Sequence, residues 1–479
     1  MNKIILPSVY PVTSHTDFVG KGTIFVAIPG KKDDGLSYVA EALRKGASKI
    51  VVQQDAVIND NMRKRIDDFG AALQVVSNCR KALAEMAAES FGYPAKKLKI
   101  IAVTGTKGKT STSYILYHML LNLGKKVALS STIEKLINKN MVKIPLTTPL
   151  PDQLHVFFDA CVKANIEYVV LEVSAQALTL YRLFGLEFEA GIFTNFSHEH
   201  LEFYKNMKEY FEAKKILFSM VKQSKDMFIN IDDHYGKELK KEFPGSSTFS
   251  QEDKNATIYG WPHFSDYGMQ LHVKSNQKTY MFQASLLGKF NAYNLLSVLG
   301  VLSSLGINLQ DIMLSMMTLK KIPGRMEQYN LMNGARCFID YAHNPSSFEA
   351  VLSTLRTMTP HLIAVFGAGG NRDKQKRPMM GSIAQKYCDV IILTADNPRD
   401  EDPAVIAQEI AAGFVEKNSC QIYKELNRTK AIEFSYELSN TKTIIAILGK
   451  GPDEYQIVGD LTFPFKERSI IKKYLQEAM

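Results

Sequence analysis

The sequence predicts an α/β chain of three domains, on three observations. At 479 residues the chain is too long for one ordinary core, and roughly 100–200 residues per domain gives about three. Short apolar runs alternate with helix-spaced stretches along the whole length, as in sheets covered by helices. In the second and third segments the apolar runs end in polar or glycine-rich loops, the pattern of parallel strands that bind ligands at their carboxyl ends. The boundaries read as residues 1–94, 95–323 and 324–479.

The first segment carries strands over residues 23–28, 49–52 and 73–76, with a helix over 38–45 between them. Residues 92–97, Gly-Tyr-Pro-Ala-Lys-Lys, break the pattern and read as a linker. The second segment opens on a buried-strand pattern at 100–103, then a glycine loop, then a helix over 111–123 with Ile115, Leu116, Met119 and Leu120 at helical spacing. Further strands are expected at 168–171 and 190–193. The third segment has strand-like runs at 336–339, 362–366, 390–393 and 443–448, which make a second doubly wound sheet. No solenoid-period repeat and no low-complexity tail occurs.

Composition narrows the function. A 46% hydrophobic and 22% charged chain is ordinary for a globular enzyme. The N-terminus lacks a signal-peptide pattern, and no apolar run reaches the ~20 residues of a membrane span, so a cytoplasmic protein is expected. Five dispersed cysteines without a Cys-x-x-Cys pair argue for reduced, packed thiols and against structural zinc. The net charge of +9 is spread along the chain, which suits small polyanionic substrates such as nucleotides better than nucleic acid. With no heptad pattern and no exposed apolar strip, a monomer is expected.

The strongest local motif is Gly105-Thr106-Lys107-Gly108-Lys109-Thr110, followed by Ser111, between a strand and a helix. Glycines let backbone N–H groups approach phosphate oxygens, and the helix N-terminus adds positive potential. Lys109 would reach the β/γ-phosphates of a nucleotide, and the Thr110 hydroxyl would face magnesium. The loop is shorter than the usual Gly-x-x-x-x-Gly-Lys-Thr, because Val103 stands where the first glycine would be. Glu172 and His200 follow the next two strands and could hold a metal at the same edge. By helical position alone, Lys214 reads as a surface lysine.

With those motifs in hand, the chain resembles the Mur ligase family over nearly its whole length, and within it the members that add the third residue of the peptidoglycan stem peptide. The resemblance rests on Thr104 to Thr110, Leu171-Glu172-Val173-Ser174, Thr194-Asn195-Phe196-Ser197 with His200-Leu201, and Pro323-Gly324-Arg325-Met326-Glu327. It rests equally on Asp340-Tyr341-Ala342-His343-Asn344-Pro345, Asn371-Arg372-Asp373-Lys374, Asp396-Asn397-Pro398-Arg399 and Gly449-Lys450-Gly451. It implies a small N-terminal UDP-substrate domain, a central P-loop ATP-binding domain and a C-terminal Rossmann-like amino-acid domain. It also implies activation of the carboxylate of a UDP-N-acetylmuramoyl-dipeptide by ATP as an acyl phosphate, followed by attack of an incoming amine.

The resemblance further implies roles for individual residues. Thr110, Glu172 and His200 match magnesium-side positions, and Lys214 matches the lysine that is carbamylated to become an anionic metal ligand. Asn291, Arg325, Asp340 and His343 resemble the remaining nucleotide contacts, Arg325 supplying charge for phosphoryl transfer. Thr16, Thr147, Thr148, Ser174 and Arg182 match positions on the UDP-substrate side. Arg372, Asp396, Asn397, Arg399, Gly449 and Asp453 match the amino-acid side, and the Asp-Asn-Pro-Arg motif points to meso-diaminopimelate as the amine.

The sequence also departs from the family pattern. Lys107 replaces an asparagine, His15-Thr16-Asp17 replaces Asp-Ser-Arg, Gln176 replaces a histidine, and Pro452-Asp453 replaces His-Glu. Three functions are therefore weighed: a meso-diaminopimelate-adding ligase, a paralogue joining another carboxylate and amine, and a nucleotide-binding protein without catalysis. The dispersed set Lys109, Glu172, His200, Lys214 and Asp340 argues against the third. Because the nucleotide loop and Arg325 lie in different segments, ATP is expected to draw the third domain in.

Overall fold

The computed structural model describes residues 4–30, 33–197, 203–265, 268–275, 278–415 and 419–476. The chain divides into two compact units, the first holding residues 1–261, 272–280 and 293–318, the second 262–271, 281–292 and 319–479. His200 lies outside the described residues.

The first unit begins with a parallel sheet in the order Val12–Thr13, Ile24–Val26, Lys49–Gln53, Ala72–Val76. Alternate side chains of one strand serve two cores. Ile50 and Val52 pack with Phe25 and Leu43, while Val51 packs with Val12, Val26 and Leu83. That two-sided burial is why the run 50–52 is apolar throughout. The stretch read as a linker contains a short 3-10 turn, Pro94–Lys97, entered through Tyr93 at a φ of 54°. Proline at the first helical position explains the turn, since its fixed φ suits a helix start.

The central sheet carries the phosphate loop. Its parallel core runs Val127–Ser130, Tyr168–Glu172, Lys99–Thr104, Ala190–Phe193, Met227–Asn230 and Ser247–Ser250. Lys135–Ile137 and Asn140–Val142 add antiparallel strands beyond Val127–Ser130. Ile100, Ala102, Val169, Leu171 and Phe193 join Phe157, Phe211 and Phe218 in one core of this sheet. Helix Lys109–Asn122 is buried nearly all round, which accounts for its run of Tyr114, Ile115, Leu116 and Tyr117.

The second unit has a six-stranded sheet in the order Glu327–Asn330, Arg336–Asp340, Thr443–Leu448, His361–Phe366, Val390–Leu393, Gln421–Lys424. Only the first pair is antiparallel. Leu362, Ala364 and Phe366 face one core while Ile363 and Val365 face the other. The four strands read from sequence are all present, and the polar edge strands Glu327–Asn330 and Gln421–Lys424 are additions. All five cysteines are free thiols, four of them buried. Among the described residues no helix is long and apolar enough to cross a membrane.

Candidate active site

In the first unit, the phosphate loop joins strand Lys99–Thr104 to helix Lys109–Asn122. Gly105 has a φ of 146°, and a Cβ there would collide with Thr194 Oγ1, so only glycine allows the neighbouring strand end this close. Thr194 and Asn195 clamp the loop. Thr106 N–H donates to the Asn195 carbonyl at 2.8 Å, and Lys107 N–H to Asn195 Oδ1 at 2.9 Å. Asn195 Nδ2 returns a bond to the Lys107 carbonyl at 3.0 Å. Lys107 thus keeps the loop geometry through its backbone, whatever its side chain. Lys109 Nζ lies across the loop, donating to the carbonyls of Gly105 and Thr106 at 2.9 Å each.

Two acceptor and donor groups stand beside this loop. Glu172 is fully buried at the end of its strand, not solvated as a strand-end carboxylate would be by default. Thr110 Oγ1 donates to Glu172 Oε2 at 3.2 Å, and Thr132 donates through both Oγ1, at 2.9 Å, and N, at 3.2 Å. Lys214 corrects the surface reading: it is 1% exposed, its Nζ donating to the Gly105 carbonyl at 2.8 Å and lying 4.6 Å from the Tyr210 ring centre. Helix Met207–Lys215 buries Tyr210, Phe211 and Ala213 on the same side, which carries Lys214 inward. Ser111 is buried in the first helical turn.

The residues matched to the UDP-substrate side fall into one network and one outlier. Thr148 Oγ1 donates to the Glu172 carbonyl at 2.8 Å and accepts Ser174 N–H at 3.1 Å, while Arg182 Nη1 donates to the Thr148 carbonyl at 2.8 Å. Thr147 Oγ1 donates to Thr132 Oγ1 at 3.0 Å, since the Thr132 proton is spent on Glu172. Ser174 also caps helix Ala175–Thr179 through Ala177 N–H. Thr16 is the outlier, opening the 3-10 turn Thr16–Phe18, which His15 caps through Nδ1.

In the second unit, Asp340 ends strand Arg336–Asp340 and accepts the N–H groups of Met326, at 2.7 Å, and Ala342, at 2.8 Å. Burial pushes its carboxyl up, and the Arg325 guanidinium pulls the other way. Arg325 stacks 4.7 Å over Tyr341, and His343 Nδ1 bonds the Tyr341 carbonyl at 2.8 Å. Asn291 Nδ2 donates to the Leu287 carbonyl at 2.8 Å.

Three loops at the strand ends of this unit meet around Gly369. A Cβ placed there would lie 3.2 Å from Arg399 Nη1 and 3.6 Å from Arg372 Cγ, so the two arginines flank one backbone position. Arg399 sits at a φ of 51° and donates to the Gly370 carbonyl at 2.8 Å. Lys450 is fully buried between Asn397 and Asp396, at 3.0 and 3.6 Å. Gly449 passes so close to Asp396 that a Cβ would stand 2.5 Å from Oδ2, which requires glycine there. Burial pushes the Asp453 carboxyl up to about 6, against the pull of the Lys450 ammonium. The buried pair Arg428–Glu467 supports these loops, because Arg428 donates to the carbonyls of Ala395 and Leu448, the ends of two of them.

Sequence reasoning named Thr194, Asn195 and Lys450 only within motifs, without a role for each, and missed Thr132. Thr194 and Asn195 were findable as hydroxyl and amide groups at the carboxyl end of a neighbouring parallel strand. Thr132 carries no local signal, and the roles of Thr132 and Lys450 depend on partners 40 and 53 residues away.

Comparison with known proteins identifies the family. The models of the Mur ligase middle domain and of the Mur ligase glutamate ligase domain match residues 103–302 and 324–451. The chain is 36% identical over 473 residues to the UDP-N-acetylmuramoyl-L-alanyl-D-glutamate–2,6-diaminopimelate ligase of Aquifex aeolicus, covering 98% of this chain and 94% of that one. The enzyme of the same name from Clostridium botulinum is 35% identical over 469 residues, covering 96% and 93%. A solved UDP-N-acetylmuramoyl-L-alanyl-D-glutamate–2,6-diaminopimelate ligase superposes at a TM-score of 0.68 with 28% identity, covering 97% of this chain and 94% of that one. The MurF ligase of Thermotoga maritima, solved with ADP, shares the fold at a TM-score of 0.64 and 19% identity, covering 92% and 94%. A clamped phosphate loop with a buried carboxylate beside it, and relatives matched across nearly the full length, lead to one conclusion: the chain belongs to the Mur ligase family of ATP-dependent amide-forming ligases.

Proposed function

We propose that this ligase joins meso-diaminopimelate to UDP-N-acetylmuramoyl-L-alanyl-D-glutamate in the cytoplasm, as a step of peptidoglycan precursor synthesis. The observation that carries the proposal is the pair Arg372 and Arg399 flanking Gly369 beside Asn397. Two guanidinium groups suit the carboxylate at the far end of a diamino diacid, because parallel N–H groups meet parallel oxygens. The near-full-length relatives that carry the diaminopimelate ligase name support it.

In the reaction, an oxygen of the dipeptide carboxylate attacks the γ-phosphorus of ATP, ADP leaves, and an acyl phosphate forms. The free amine then attacks the acyl carbon, phosphate leaves, and the amine proton passes to solvent or a nearby base. Lys109 and the N–H groups at the helix start from Gly108 to Thr110 hold the phosphates, and Arg325 supplies further positive charge. Magnesium would fit the hydroxyl of Thr110 and the carboxylate of Glu172, hard oxygens 3.2 Å apart, and by the family resemblance His200 and a carbamylated Lys214 would complete the set. When bound, that ion would neutralise charge on the transferred phosphoryl group. Thr148, Ser174 and Arg182 hold the acceptor, with Thr16 toward the nucleotide end. Asp453 receives the ammonium of the amino acid, with the Gly449 carbonyl beside it.

A second reading, a paralogue with another acceptor and amine, draws on two departures: His15, spent on capping the turn at Thr16, and Asp453, one methylene shorter than glutamate. Arg399→Ala decides on the amine. Losing a charge-assisted pair costs about 1.5–3 kcal/mol, so the KM for meso-diaminopimelate should rise about 10- to 100-fold with the ATP KM unmoved. Equal rises in both would contradict the assignment.

A further inference from the structure

Asn397 is 7% exposed, and its two side-chain hydrogen bonds fall on the same atom. Oδ1 accepts Lys450 Nζ at 3.0 Å and Ile457 N–H at 3.0 Å. Both partners can only donate, so the amide has one permitted orientation: oxygen toward Lys450, nitrogen away. Among the described residues the Asn397 Nδ2 group donates to no protein acceptor. With its oxygen held by two donors, the amide presents its N–H groups to an acceptor supplied from outside the chain.

Lys450 itself is costly to bury and would not be fully enclosed without purpose. Its ammonium is compensated by Asp396 at 3.6 Å and lies 5.7 Å from the Tyr455 ring centre and 5.9 Å from that of Phe465. Arg428 pins the carbonyls of Ala395 and Leu448, so the backbones carrying Asn397 and Lys450 are held from below. Gln456 Nε2 donates to the Asp396 carbonyl at 2.7 Å, tying the third stretch of chain to the same point.

We propose that Lys450 is a positioning residue that, with the Ile457 N–H, locks the Asn397 carboxamide as a donor, so that the loop admits only an amino acid presenting a hydrogen-bond acceptor there. This rests on the assignment of the 396–399 loop to the amine substrate. The acceptor is a carboxylate oxygen of that substrate, and the lock makes the loop discriminate against a substrate that offers a donor instead.

The test compares wild type, Asn397→Asp and Lys450→Met, with meso-diaminopimelate and its distal monoamide as the variable substrates and phosphate release as the readout. In Asn397→Asp one carboxylate oxygen keeps the bonds to Lys450 and Ile457, so the fold survives, while the other replaces the donor with an acceptor. The diaminopimelate KM should rise about 50-fold or more, and the preference for diacid over monoamide should shrink or invert. Lys450→Met frees the amide to rotate. It should raise the diaminopimelate KM about tenfold, more than it lowers kcat, and weaken the diacid preference without moving the ATP KM. An unchanged diacid preference in both variants overturns the role of Lys450, and so does an equal rise of all substrate KM values in Lys450→Met. No turnover of diaminopimelate by wild type overturns the substrate assignment as well, which separates the two failures.

Discussion

Lys109→Met should lower kcat by about 10²–10³-fold at saturating ATP, the effect of removing one preorganised group that stabilises developing charge. The expectation follows from where the ammonium stands. Its Nζ bonds the carbonyls of Gly105 and Thr106 at the mouth of the loop, so in the resting chain it is tethered at the place where a nucleotide phosphate would lie. Exchanging two neutral carbonyls for phosphate oxygens gives stronger, charge-assisted bonds, and that difference is available to the transferring phosphoryl group. Methionine retains the length and apolar stem of the lysine and deletes only the charge. Stopped-time phosphate release measures the effect, and a kcat within threefold of wild type would remove Lys109 from the reaction.

Lys214→Ala should cost about as much, 10²-fold or more in kcat, and the loss should be partly reversed by a short carboxylic acid but not by bicarbonate. Lys214 is buried against the base of the phosphate loop, with Nζ 2.8 Å from the Gly105 carbonyl. Carbamylation would convert this buried cation to an anion on the metal side of the loop. Alanine leaves a space next to that loop, and a small carboxylate entering it restores the anion without the tether. Bicarbonate has no amine left to modify. Loss of activity that no short acid restores contradicts the carbamate, and near-normal activity contradicts any catalytic role.

The parts legible in sequence were those written in short-range patterns. The strand from Lys99 to Thr104, the glycine loop and the helix after it lie within 24 residues, and period and glycine placement suffice to read them. The strand ends at Glu172 and Asp340 were legible because a polar residue closing an apolar run marks a parallel strand's carboxyl end. By helical position alone Lys214 reads as a surface lysine, a reading the family resemblance reverses, and the packing of Tyr210 and Phe211 is what turns it inward. The antiparallel pair Tyr455–Val458 and Leu461–Pro464 was missed because both strands are largely exposed and carry no buried alternation. The amide orientation at Asn397 depends on Lys450, 53 positions later, and no local pattern encodes it.

Phosphate release from ATP, measured with UDP-N-acetylmuramoyl-L-alanyl-D-glutamate and a panel of amino acids, addresses the assignment most directly. Release that requires both the UDP-linked dipeptide and meso-diaminopimelate, with one phosphate per amide formed, is the predicted result. Release only with another acceptor or another amine, or ATP binding without release under every pair, would contradict it.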